Sequence, residues 1–475
     1  MRVVVIGGAV SGLSAALGLA RRGVDVVVLE RDPAPGGTDF EQDFLSWSRP
    51  GVPQIRQGHF FLGRAQAVLT ANAPDVLEAL SAHGITPLRS PMVMLFPDDV
   101  RPGDELTPIP TRRIPLEVVL RRVASGEPTI EIRSEAQVAD LLVDLEDTRP
   151  RVRGVQLADG ERIESDFVID ACGNKSRVNA WLHQHGVAPP ADRSQDCGGT
   201  YFGRYYRATG ETPPDPWGLL ASQGMTDYLQ YGVFPGDHGT YGVVLFVPSR
   251  DLELRALRDD DAFERAARSF PTIARWVDPA TAEPINSVGV CAGRDTVIRP
   301  FLSDGVPSYL GCLPVGDALC STDAPLAWGI SLGLTTGFAI AEAIAKHRND
   351  PGDAAIAYGE AVMDELHACF RVSAAAARIR VRRWKGTFTG PEDVDEEMEG
   401  LFRAAAPLVF TDPDPVLLSG FMRRVNLVDP PDAIFGNSEF MRRARAAHAG
   451  GESQQGTAPT RDELVAALAL DVSAV

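Results

Sequence analysis

A glycine-rich turn, Gly7-Gly8-Ala9-Val10-Ser11-Gly12, lies between two apolar, β-branched runs near the start of the chain. Residues 2–6 (Arg-Val-Val-Val-Ile) have the continuous apolar character of a strand buried on both faces. Small apolar residues at helical spacing continue to Arg22, Gly23 punctuates, and residues 24–30 form a second such run. Strand, tight turn, helix and strand joined this closely predict a βαβ unit. Gly7 permits the turn, and Gly12 lets helix and strand pack closely. The free N–H groups of the turn, with the helix dipole behind them, suit a diphosphate. Gly7, Gly8, Ala9, Ser11 and Gly12 are therefore candidate dinucleotide contacts. Glu30 ends the second run, 23 residues after Gly7, where a carboxylate accepts from ribose hydroxyls. It repels a 2'-phosphate, so the site is expected to take FAD or NAD rather than NADP; Arg31 beside it softens that preference. Ala9 replaces the fingerprint's middle glycine by the smallest available side chain.

The rest of the chain must be compatible with that unit. At 44% hydrophobic and 23% charged, 475 residues have ample means to bury a core. A net charge of -18 repels nucleic-acid phosphates, so no nucleic-acid partner is expected. Six scattered cysteines with no C-x-x-C pair suit a reducing cytoplasm. The N-terminal apolar run has some look of a secretory signal, but Gly7, Gly8 and Gly12 would break its helix, and no run is long enough for a membrane span. The expected compartment is the cytoplasm. His183 and His185 point to different helix faces, and no metal site is expected.

Residues 31–60 read as a long irregular loop, which in a compact domain is usually functional. Helical periodicity returns over 61–83 and 115–125. Residues 129–170 read β, with a hairpin at Asp159-Gly160. Aromatic β-rich segments fill 196–250, and 309–318 is a buried strand before a long helix. A Gly/Ser/Gln linker at 450–456 precedes a last helix capped by Thr460 and Glu463.

Leu313-Pro-Val-Gly-Asp-Ala318 is the second informative motif. It sets Gly316 and Asp317 after a buried strand, where the acid can bind ribityl hydroxyls that NAD lacks. The helix beginning near Gly329, Ile330 and Ser331 can stabilise negative charge on a reduced flavin. With the fingerprint and Glu30, with Arg49-Pro-Gly-Val-Pro-Gln-Ile-Arg-Gln-Gly-His59, and with Asp170-Ala-Cys-Gly-Asn-Lys-Ser176, the chain resembles FAD-dependent monooxygenases of the para-hydroxybenzoate hydroxylase fold. The likeness covers roughly residues 1–345 and is nearest to bacterial flavin epoxidases and hydroxylases of natural-product pathways.

That resemblance implies an α/β fold: a Rossmann-like FAD-binding domain (1–185 and 290–345), an inserted antiparallel-sheet substrate domain (186–289) and a helical C-terminal region (346–475). Residues 85–110 are a candidate addition to the substrate domain. It implies cofactor contacts from Arg56, Gln57, Arg113 and Asp170, and a loop at 49–59 lying against the flavin. His59 is the candidate for orienting substrate. In place of the family's Gly-x-Gly stands Ala327-Trp328-Gly329, which puts Trp328 beside the ring as a second catalytic candidate. Tyr201, Tyr205, Tyr231 and Phe234 are candidate walls of an apolar or aromatic substrate chamber.

The chemistry implied is insertion of one oxygen atom from O2, by hydroxylation or epoxidation, through a flavin C4a-hydroperoxide. NAD(P)H would be a transient donor, directly or through a separate flavin reductase. A flavin reductase or dehydrogenase on the same scaffold is the alternative. A halogenase is disfavoured, because residues 31–174 contain no lysine and the W-x-W-x-I-P signature is absent.

Overall fold

The computed structural model describes residues 1–37, 39–145, 149–210, 214–293, 295–449 and 458–469. The expected linker at 450–456 lies outside them. In chain order the elements that build the site are β1 (Arg2–Ile6), α1 (Val10–Ala20), β2 (Asp25–Leu29), α2 (Arg113–Ser125), β3 (Ile130–Arg133) and β4 (Phe167–Asp170). They continue with β5 (Gly199–Ala208), β6 (Gln230–Pro235), β7 (Thr240–Pro248), β8 (Cys312–Pro314), α3 (Gly329–Lys346) and α4 (Pro351–Trp384).

Five of the strands form a parallel sheet in the order β8-β4-β1-β2-β3. Register aligns Ile6, Asp170 and Pro314 along one edge. The turns after β1, β4 and β8 therefore open side by side at the carboxyl ends, where open α/β sheets bind ligands. Val3, Val4 and Val5 are wholly buried, as their unbroken apolar run requires.

Helices α1 and α3 pack against each other through small residues. A Cβ on Gly18 would come 2.8 Å from Ala341 Cβ, while Cβ atoms on Gly333 and Gly337 would overlap the hydroxyls of Ser11 and Ser14. Those residues fall at spacings of three and four, so each helix presents one small-residue stripe to the other.

The Asp159-Gly160 hairpin forms as expected: Gly160 has φ +95° and the strands Arg151–Leu157 and Arg162–Glu164 pair antiparallel. A six-stranded antiparallel sheet centred on β6, β7 and β5 spans Gly199 to Ala292. In the segment 85–110, Met92 joins the core of the C-terminal helices, Ser419 and Arg423 bond Asp104, and Trp217 of the 186–289 region donates to Arg89 O at 3.3 Å. Beyond α4 the chain stays helical, and the last helix, Arg461–Leu468, carries the Thr460–Glu463 capping box. Leu464 and Leu468 of that helix close the outer face of the antiparallel sheet. No helix among the described residues is long and apolar enough to cross a membrane.

Candidate flavin site

At the carboxyl edge, Gly7 adopts φ +109°, and a Cβ there would stand 2.5 Å from Ala171 O. A Cβ on Gly12 would overlap Gly7 O, so both fingerprint glycines are sterically required. Ala9 is the N-cap of α1 in extended backbone, where its methyl is tolerated. The first intrahelical bond runs from Leu13 N–H to Ala9 O, so Val10, Ser11 and Gly12 keep N–H groups with no helical acceptor. This is the anion cradle that the motif predicts.

Glu30 is buried at the end of β2. Its Oε2 accepts from Gly8 N–H (2.9 Å) and Arg49 Nη2 (3.0 Å), and its Oε1 from Asp32 N–H (2.9 Å). Arg49, itself buried, also bonds Asp32 through Nε (3.1 Å) and Glu117 through Nη1 (2.8 Å). Arg113 donates to the other Glu117 oxygen at 2.6 Å. Burial alone would raise the Glu117 pKa, but Arg113 and Arg49 hold it below the usual carboxylate range. Arg113, Glu117 and Arg121 recur every fourth residue, so α2 turns one charged stripe toward the crevice. Arg121 Nη1 is buried without a partner, 3.5 Å from where a Gly8 Cβ would be. A cavity of about 440 Å³ opens beside it, between residues 34–37 and the outer turns of α2. Asp32 and Arg121 belong to no sequence motif, and the pairing of Arg49 with Glu117 shows only in the fold. The available signals were Arg49 opening the 49–59 motif and the four-residue spacing from Arg113.

Beyond β8, Gly316 takes φ +57° with its N–H on Thr336 Oγ1 (2.9 Å), and a Cβ there would overlap Ser11 Oγ. Asp317 is thereby placed at the mouth of α3, its Oδ1 3.5 Å from where a Gly329 Cβ would be. The first helical bond of α3 is Leu332 N–H to Trp328 O, leaving the N–H groups of Gly329, Ile330 and Ser331 with no helical acceptor. Ser331 Oγ is buried without a partner. Fingerprint, Glu30, Arg113, Asp317 and the first turn of α3 thus line one crevice.

Other expected residues are engaged elsewhere. Asp170 accepts from Cys172 N–H (3.0 Å) and Ser176 Oγ (2.5 Å), so it shapes its own turn. Burial raises its pKa and pushes the Cys172 thiol well up. Arg31 is largely exposed. Arg56 donates to the Phe44 and Trp47 carbonyls, and Gln57 Nε2 to Gly289 O (2.8 Å). His59 Nδ1 lies 2.8 Å from Gln57 O, so it must carry the proton and donate, because a carbonyl only accepts. Trp328 is 2% exposed and sits in the main core among Phe60, Leu319 and Leu332, so it does not stand free beside a ring. His185 Nε2 stands 3.2 Å from the Asp140 carboxylate.

The antiparallel sheet turns one face to the loop at 49–59. Gly203, Gly242 and Gly289 leave that face bare: a Gly242 Cβ would come 3.2 Å from Gly58 Cα, and a Gly203 Cβ would overlap Gln57 Oε1. Tyr201, Tyr205 and Phe234 share the face. Tyr205 donates to Gln57 O (3.1 Å), Phe234 packs on Gly58, and Tyr201 stacks on Phe246 at 3.8 Å. Tyr231 does not share it. Alternation along β6 sends it to the opposite face, against Phe270 at 4.8 Å.

Residues 2–106 match the family model described as FAD dependent oxidoreductase. That match spans the glycine turn, Glu30 and the 49–59 loop. Protein Rv3254 of Mycobacterium tuberculosis is 26% identical over 470 residues, covering 90% of this chain and 89% of that protein. Monooxygenase 2 of Arabidopsis thaliana is 25% identical over 253 residues, 53% of this chain and 54% of that protein. Among solved structures, the probable FAD-dependent monooxygenase PqsL of Pseudomonas aeruginosa superposes with a TM-score of 0.60. Its identity is 14%, over 82% of this chain and 100% of that one, a likeness of fold. The matched N-terminal residues, and the parallel sheet with its antiparallel partner, agree with the fold that the resemblance implies.

Proposed function

We propose that this FAD-dependent oxidoreductase is a monooxygenase that inserts one oxygen atom into an apolar or aromatic small molecule, by hydroxylation or epoxidation, in natural-product biosynthesis. NAD(P)H is its transient electron donor, directly or through a separate reductase, and O2 its co-substrate. Its compartment is the cytoplasm, in keeping with six scattered cysteines and no C-x-x-C pair. The observation that carries the reading is the aromatic, glycine-bared sheet face laid on the 49–59 loop, beside the crevice where Asp317 and the first turn of α3 meet.

The residues present fit FAD. The unpaired N–H groups of α1 suit its diphosphate, Glu30 its ribose and Asp317 its ribityl hydroxyls. Bound there, FAD supplies electron transfer and oxygen activation. The protein does the rest. The N–H groups of Gly329, Ile330 and Ser331 favour negative charge at the mouth of α3. Arg113 and Arg49 keep Glu117 ionised. Tyr205 and Phe234 exclude water from the sheet face.

The test is anaerobic mixing of FAD-loaded protein with NADPH or NADH, then admission of isotopically labelled oxygen with a panel of aromatic and olefinic substrates. Bleaching followed by one labelled oxygen in a product is the expected result. Substrate oxidation with no labelled oxygen incorporated would sink the monooxygenase reading in favour of a dehydrogenase.

A further inference from the structure

The segment from Asp317 to Gly329 is a closed loop. Its base is the approach of Asp317 to Gly329 at the crevice, and its tip is Asp323. The Asp323 carboxylate and N–H are both held by α4, in the C-terminal region that carries no flavin motif, while Cys320 and Ser321 before it pair with Ile298 and Val297. Arg380 grips the Asp323 carboxylate through Nη1 (2.5 Å) and Nη2 (2.8 Å), and Ser373 Oγ accepts from Asp323 N–H at 2.5 Å. Ser373 and Arg380 are seven residues apart, two turns on one helical face. Arg380 is wholly buried, and its guanidinium lies 4.8 Å from the Phe246 ring and 5.5 Å from that of Trp384. From Asp323 the chain makes one 3-10 turn, closed by Leu326 N–H on Asp323 O, passes Ala327 in the left-handed conformation and enters α3 at Gly329.

Enclosing both charges costs desolvation energy that an apolar pair of similar volume avoids. What the ion pair adds is a fixed position for Asp323, and through six residues of stiff turn, for the free N–H groups of Gly329, Ile330 and Ser331.

We propose that Arg380 and Ser373 are positioning residues: the C-terminal helix clamps Asp323 and so sets how the first turn of α3 meets the flavin. The proposal rests on the crevice being the FAD site. Its test reads FAD dissociation constant, midpoint potential and visible spectrum beside melting temperature. Ser373→Ala and Arg380→Lys should stay folded, yet bind FAD at least tenfold more weakly, with a more negative potential because the reduced ring loses N–H support. The double replacement Asp323→Leu with Arg380→Met exchanges the ion pair for apolar packing. It should recover melting temperature while affinity and potential stay displaced. Recovery of all three together, or unchanged affinity and potential in both single variants, would overturn the proposal. A wild-type chain that takes up no FAD would defeat the underlying site reading instead, a failure seen without any substitution.

Discussion

Ala327 is held at φ 58°, ψ 19° at the end of the turn that leads into α3. An L-residue with a Cβ pays roughly 1–2 kcal/mol in this region, and glycine pays almost none. The resemblance implies a glycine here, and the backbone has the conformation that glycine would choose. Replacing Ala327 with Gly should therefore stabilise the protein by about 0.5–1 kcal/mol, the left-handed relief less the entropy of a looser unfolded chain. Denaturant unfolding would show it as a higher midpoint at unchanged slope. A lower midpoint would mean that the left-handed geometry is wrong. The neighbouring substitution has a different consequence. Trp328 is buried in the main core, so the large side chain between Ala327 and Gly329 fills core volume.

At the scale of elements, the 49–59 loop and the antiparallel sheet are built for each other. Three glycines bare the sheet face, and the loop answers with Gln57 and Gly58. Gly203→Ala puts a methyl where Gln57 Oε1 now lies, so Gln57 must swing aside and release Gly289 O, which loosens the loop. The expected cost is about 1–3 kcal/mol of stability. A weakened FAD affinity should accompany it, because the same loop delivers Arg49 to Glu30 and Glu117. Titration of FAD into the purified variant checks this, and affinity equal to wild type would show that loop and crevice are uncoupled. Such matching is what the sequence could not disclose. The βαβ unit was legible because every cue lies within thirty residues: apolar runs, glycines and a terminal acid. The turn at Asp159-Gly160 and the Thr460–Glu463 cap are equally local. Glu30, Arg49 and Glu117 converge from three separate elements, and no local pattern pairs them. Tyr231 shows the same limit, since its β-rich segment was plain but the parity that decides its face depends on register with β7.

Across the whole molecule, the two sheets are locked by one buried ion pair. Asp237 sits in the hairpin turn between β6 and β7, and Arg112 is the N-cap residue of α2. Arg112 bonds both Asp237 oxygens, through Nε at 3.0 Å and Nη2 at 2.5 Å, and its own N–H adds a third bond at 2.8 Å. Glu41 reaches the same guanidinium. The hairpin of the substrate sheet thus fixes the start of the helix that carries Arg113, Glu117 and Arg121 into the crevice. Burial would raise the Asp237 carboxyl, but Arg112 more than reverses that and pulls it from 3.8 down to about 2. A carboxyl whose folded value lies below its unfolded value stabilises the fold above the unfolded value, and the contribution fades as pH falls toward the folded one. The displacement corresponds to about 2 kcal/mol, complete at neutral pH, lost between about pH 4 and pH 2, and roughly half gone near pH 3. Asp237→Asn removes the titrating group and leaves Arg112 with Glu41 alone, so the variant should be much less stable than wild type at pH 6. The gap should narrow by about 1 kcal/mol at pH 3. Guanidinium unfolding of both proteins at the two pH values measures it. A gap that stays constant would place the acid sensitivity elsewhere, with Glu117 and its two arginines the other buried group that could carry it.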